Sequence, residues 1–228
     1  MQRFGYADTP RGQLHYREAG RGEPFVLLHW APGSSAQYAA VIEALAAAGT
    51  RGIALDLPGF GASYRRVGHW TIGDFADSVI ECLDALDLRR CVLVGGHLSS
   101  LIAIEAALRA AQRFVYIGLD GTPTWDERTR RDILDKALPA PLVPTEDGAH
   151  LLAEWRHLLW EVRMWRPRVP FDDALAQFAM NLLRARMMAD FDLRPAQALL
   201  EYDALGALRR LTVPVLALAA DDDPLRNC

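Results

Sequence analysis

The chain has a single lysine, Lys136, among 25 basic residues, and no stretch in which basic side chains alternate with aromatics. With a formal charge of −4, that scarcity argues against nucleic acid as a partner. The arginine bias, beside abundant alanine, reads as genomic base composition rather than function. Cysteine is equally sparse. Cys82, Cys91 and Cys228 are odd in number, far apart and without a Cys-x-x-Cys pair, so neither a disulfide framework nor a zinc site is expected, and a reducing cytoplasm fits. No run reaches the ~18 uninterrupted apolar residues of a spanning helix, and the opening Met-Gln-Arg-Phe-Gly-Tyr-Ala-Asp has no apolar leader. A cytosolic protein without a membrane contact is the expectation.

What is present is a 228-residue chain, 51% hydrophobic, which suffices for one domain with a large core. Residues 1–8, a Pro10-Arg11-Gly12 turn and the alternating residues 13–17 read as an antiparallel hairpin. Two continuous apolar runs follow, at 24–28 and 52–57. Each has the character of a strand buried on both faces. The first delivers His29-Trp30-Ala31-Pro32-Gly33, and the second ends in Asp56-Leu57-Pro58-Gly59-Phe60-Gly61-Ala62-Ser63. Ser34 with Gln37 reads as a capping box for a helix to about residue 48. A second helix starts near Thr71, with Asp74 in the box position and Phe75, Val79, Leu83 and Leu86 on one stripe. Another strand spans 114–119 and ends at Asp120-Gly121. Buried strands alternating with helices predict a parallel sheet covered on both faces.

Residues 90–109 organise the rest. An apolar strand, the turn Gly95-Gly96-His97-Leu98-Ser99-Ser100 and an alanine-rich helix form the frame of a nucleophile elbow, whose pattern is Gly-x-Ser-x-Gly. The residues two before and two after the central one must be small. Centring on Ser99 would put His97 and Leu101 at those two places, so the preferred register puts His97 at the centre.

Taken in order, the motifs at 29–33, 56–63 and 92–100 and the late strand ending in Asp221-Asp222-Asp223-Pro224 resemble the α/β-hydrolase superfamily, in its cap-bearing branch. The resemblance covers nearly the whole chain. It implies a three-layer α/β sandwich around a mostly parallel, eight-stranded sheet, with the site under an inserted helical cap. The core would comprise 1–122, the cap 123–208, where four of the six tryptophans lie, and 209–228 would return to the core. It further implies oxyanion-hole N–H groups from Ala31 and Leu98, an acid at Asp223 or Asp120, and a substrate site lined by Trp30, His29 and Trp125. His29 doubles as a residue orienting the loop. Trp30 stands where glycine is usual.

Two departures define the functional question. His97 replaces the usual nucleophile, and the family's catalytic histidine, last strand and terminal helix have no counterpart before Cys228. His97 could act as a general base, its tautomer set by one of the two aspartates. The alternatives are a small-ligand-binding pseudoenzyme and a truncated hydrolase fragment. No cofactor or metal is implied, although His150 and His157, with Asp147 or Glu154, form a candidate metal set at helical spacing. His15 and His69 have no identifiable partner in the sequence. The uncovered edge of the strand at 213–219 predicts self-association.

Overall fold

The computed structural model describes residues 1–66, 68–136, 143–165, 168–188 and 194–219. Seven strands form one sheet: β1 (Arg3–Thr9), β2 (Gly12–Gly20), β3 (Pro24–Leu28), β4 (Arg51–Leu55), β5 (Cys91–Gly96), β6 (Phe114–Asp120) and β7 (Val215–Leu218). Their spatial order is β1-β2-β4-β3-β5-β6-β7. The hairpin β1–β2 and the β2–β4 pair are antiparallel, and every other pair is parallel. Seven strands among the described residues stand against the eight that the resemblance implied.

Helices cover both faces because the central strands are apolar throughout. α1 (Ala39–Ala47) sits on one face, where Ile42 packs with Ala19, Leu27 and Ala54. α2 (Ile72–Ala85) and α3 (Leu98–Arg109) cover the other, and Phe75, Val79, Leu83, Leu101 and Ile104 join the main core there. The α2 start is as expected: Thr71 Oγ1 accepts from Asp74 N at 3.2 Å, and Asp74 Oδ2 accepts from Thr71 N at 2.8 Å. The helix predicted from Ser34 opens differently, with a 3-10 turn over Ser35–Tyr38 in which Gln37 N donates to Ser34 O at 3.0 Å. Ser34 is the N-cap, its Oγ accepting from Ala36 N at 3.4 Å, but Gln37 Oε1 accepts no bond among the described residues, so the box is not completed. Ser35 N, the first N–H of that turn, donates to Asp56 Oδ1.

Between β6 and β7 run α4 (Glu127–Lys136), α5 (Ala149–Trp165), α6 (Asp173–Met188), α7 (Arg194–Glu201) and α8 (Ala204–Leu208). α5 and α6 pack together, and the nearly buried Arg186 places its Nε 3.1 Å from the buried Glu154. α7 and α8 lie against α3 instead, and Ala198, Ala204 and Ala207 enter the main core. β7 is shorter than the run at 213–219. It pairs with β6 alone among the described residues, and its Val215, Leu216 and Leu218 are 44%, 49% and 47% exposed. No helix among the described residues is long and apolar enough to cross a membrane.

Register is what builds a site from this sheet. Leu28 lies beside both Leu55 and Gly95, and Gly96 lies beside Asp120. The residues that follow β3, β4 and β5, namely His29, Asp56 and His97, therefore meet Asp120 along a single carboxyl edge, where open α/β sheets place their ligands.

Candidate active site

β5 ends at Gly96, His97 occupies the turn with φ 51° and ψ −117°, and α3 begins at Leu98. A bulky residue held at positive φ costs about 1–3 kcal/mol and persists only where its surroundings over-determine it. Here His97 N donates to Asp120 O at 2.8 Å, while His97 O accepts from Ser100 N at 3.0 Å and from Ser100 Oγ at 2.6 Å. The turn is tight because α3 presses on β5. A Cβ added at Gly95 would overlap the Ser99 carbonyl and lie 2.7 Å from Ser100 N. Strand, strained turn and helix thus follow one another here, with His97 at the turn.

Ser99 is buried, and its hydroxyl donates to His29 O. The rival register is thus occupied by a structural bond joining α3 to the end of β3. A serine-directed fluorophosphonate is expected to leave Ser99 unlabelled; a Ser99 adduct in peptide mass spectrometry would move the elbow's centre away from His97.

His29 is fully buried. Its Nδ1–H donates to Trp30 O at 2.7 Å, and its Nε2 accepts from Leu57 N at 3.1 Å, so one neutral tautomer satisfies both bonds. Burial lowers its pKa, against the opposing pull of the Trp30 carbonyl and Asp56. Its ring stays behind the loop and orients it. Trp30 turns outward instead. Its indole lies 5.7 Å from the His97 ring and 6.5 Å, edge to face, from Phe178 of α6.

Phe178 had no signal in the sequence. It is one of several apolar residues on α6, and only the placement of that helix brings it to Trp30. Ala31 follows Trp30 half-buried, and Leu98 is the first residue of α3, so both proposed oxyanion donors belong to segments converging on His97. Trp125 stands half-buried on the connection from β6 to α4. Asp120 meets the elbow through its backbone, and its carboxylate Oδ2 lies 3.9 Å from the point a Cβ on Gly96 would occupy. Asp223 lies outside the described residues.

The candidate metal set disperses. His150 Nδ1 accepts from Thr145 N at 3.0 Å, His157 Nε2 lies 3.2 Å from Glu161 Oε1, and Glu154 faces Arg186. His69 pairs with Glu201 of α7 at 3.0 Å. His15 pairs with Asp56: its Nδ1 lies 2.8 Å from Asp56 Oδ2.

Asp56 is nearly inaccessible. Burial alone would raise its pKa, but bonds from His15, Ala62 N and Ser35 N, with the nearby His29, together hold it at about 2 against an ordinary 3.8. A carboxyl depressed in the folded state stabilises the fold above its unfolded pKa, and that stabilisation is lost as pH falls through the folded value. Unfolding free energy is therefore expected to drop by about 2 kcal/mol between pH ~4 and pH ~2 on this group's account. Urea midpoints across that window should show a shallower fall in Asp56→Asn.

The alpha/beta hydrolase fold family model matches residues 23–199, a span that runs from β3 through the elbow to α7. The chain belongs to that family. Among its curated relatives, a protein provisionally named carbamate hydrolase RutD from Variovorax paradoxus is 30% identical over 225 residues, covering 93% of this chain and 79% of that protein. Haloalkane dehalogenase 2 of Mycobacterium tuberculosis is 33% identical over 123 residues, 54% of this chain and 43% of its own, so the match spans less than half of that enzyme. The crystal structure of a hydrolase from Pseudomonas aeruginosa PA01 superposes with a TM-score of 0.69 at 25% identity, over 95% of this chain and 80% of that one. For this hydrolase-fold chain, the match places the His97 turn within the family's own span.

Proposed function

We propose that this chain hydrolyses a small ester or related carbonyl compound, with His97 as a general base at the elbow. The observation that carries the reading is the His97 backbone. An imidazole is held at φ 51° on the strained turn, beside Trp30 and between the segments that bear Ala31 and Leu98. In this mechanism His97 takes a proton from a water molecule as the water oxygen bonds to the carbonyl carbon. The tetrahedral oxyanion accepts from Ala31 N–H and Leu98 N–H, an arrangement in which each donor is typically worth roughly 10² to 10³ in rate. The bond to the leaving oxygen then breaks, and the imidazolium returns the proton to it. Asp120, or Asp223, would orient the imidazole. The helices between β6 and β7 would act as the cap, with Trp30, Phe178 and Trp125 contacting the apolar part of the substrate. The hydrolase names of the RutD relative and of the Pseudomonas structure support the reaction class.

General-base hydrolysis forms no acyl-enzyme. Stopped-flow turnover of short p-nitrophenyl esters is expected to be linear from the first turnover, without a burst of nitrophenolate; a burst of one equivalent would replace the base with a nucleophile. A second reading is favoured by a specific observation: the residue at the centre of the turn carries no side-chain oxygen or sulfur, and the hydroxyls of the neighbouring Ser99 and Ser100 are committed to His29 O and His97 O. Under it the chain binds a small apolar ligand without turnover, and calorimetry with a non-hydrolysable ether analogue would register binding where the ester assay stays silent.

A further inference from the structure

The segment from His29 to Ser35 carries Ala31 and is held at two points. Upstream, the His29 ring fixes Trp30 O and Leu57 N, and Ser99 Oγ fixes His29 O. Downstream, Ser35 N donates to Asp56 Oδ1 at 2.5 Å, and Ser35 Oγ accepts from Arg17 Nε at 3.1 Å. The other carboxylate oxygen accepts from Ala62 N at 2.9 Å and meets His15 Nδ1 at 2.8 Å. Three segments far apart in sequence thus converge on one buried carboxylate: β2, the start of the 3-10 turn, and the loop after β4. The backbone closes the same knot. Asp56 N donates to His15 O at 2.9 Å, while Ser63 Oγ accepts from His15 N at 2.9 Å and donates to Asp56 O at 2.6 Å. The cradle admits no side chain at Gly61, where φ is +53° and a Cβ would overlap the carboxylate.

We infer that the Asp56–His15 pair is a positioning element for the oxyanion loop, setting the placement of Ala31 N–H relative to Leu98 N–H by anchoring Ser35 N–H. Asp56 and His15 act through the loop and not on the substrate. The inference rests on Ala31 being an oxyanion donor. A buried carboxylate that accepts three bonds defines its donors' places more narrowly than apolar packing does, and a displacement of about 1 Å in a catalytic donor can cost on the order of 10² in rate.

The test separates loop placement from chemistry. The full chain is labelled with 5-fluorotryptophan and the Trp30 resonance is assigned by its loss in Trp30→Phe; Trp30 is a direct reporter because its ring faces His97 and Phe178. Ser35→Pro removes the N–H that Asp56 holds. Proline is tolerated in the first turn of a helix, and Ser34 already has the extended backbone a residue before proline needs, with φ −157° and ψ 172°. Asp56→Asn and His15→Gln disturb the same knot from its other sides, and Ser35→Ala keeps the N–H. In cooperatively folded protein, the first three variants are expected to shift or split the Trp30 resonance while those of Trp155 and Trp160 stay in place. Ser35→Ala should leave the Trp30 signal alone. Ester turnover in the first three should show kcat reduced roughly 10²-fold with KM within about twofold, the mark of an interaction made only in the transition state. An unmoved Trp30 resonance in folded Ser35→Pro and Asp56→Asn would overturn the positioning role. A moved resonance with unchanged kcat would keep that role and remove Ala31 as a donor, so the functional reading would fail and not the anchor.

Discussion

Hydrolysis of a short acyl ester is expected to fall by roughly 10² to 10⁴ when His97 becomes alanine, the typical worth of a positioned general base. Affinity for a non-hydrolysable analogue should change little, because Trp30 and Phe178 still bound the site. Two companion variants separate chemistry from folding. His97→Gln keeps a polar side chain of similar reach but has no base, and should be as inactive as alanine. His97→Gly should be equally inactive and yet more stable by about 1 kcal/mol, since glycine relieves the cost of holding a side chain at φ 51°. Opposite signs in activity and stability at one position would mark His97 as kept for function at the expense of the fold. Unchanged turnover in His97→Ala would eliminate the base mechanism.

A second large effect is expected at Gly95. Alanine there would place its Cβ inside the Ser99 carbonyl and 2.7 Å from Ser100 N, both backbone atoms of the first turn of α3. That turn cannot retreat without carrying Leu98 and the His97 conformation with it. We expect Gly95→Ala to cost about 3 kcal/mol, the upper part of the range for overpacked cores, and to lower Tm by roughly 6–12 °C in a chain of this size. Gly96→Ala is the control one residue away. Its Cβ would meet Tyr38 Oη at 3.5 Å and Asp120 Oδ2 at 3.9 Å, ordinary contact distances, so its effect should stay within about 1 kcal/mol. Equal losses at the two glycines would mean that the closeness of α3 to β5 is not what specifies glycine in the elbow.

Much of the fold was legible from local pattern. The apolar run at 24–28 is β3 from end to end, and Thr71 with Asp74 forms the predicted capping box. The close approach of α3 to β5 was legible for a steric reason, since Gly95 stands where strand and helix touch. One boundary drifted. β4 stops at Leu55, before the predicted residue 57, and the carboxylate of Asp56 just beyond it collects Ser35, Ala62 and His15.

By itself, then, the amino-acid order determined the alternation of buried strands and helices, the glycine that lets α3 approach β5, and the presence of a histidine where that approach is tightest. Periodicity and side-chain size act over a few residues and can be read there. The tertiary structure alone decided which polar groups meet. The pairing of β2 with β4 brings His15 to Asp56 across 41 residues, α6 carries Phe178 to Trp30, and the His29 ring is enclosed behind its loop. Such encounters depend on strand register and helix placement, set by the burial of the whole core, and no local spacing encodes them.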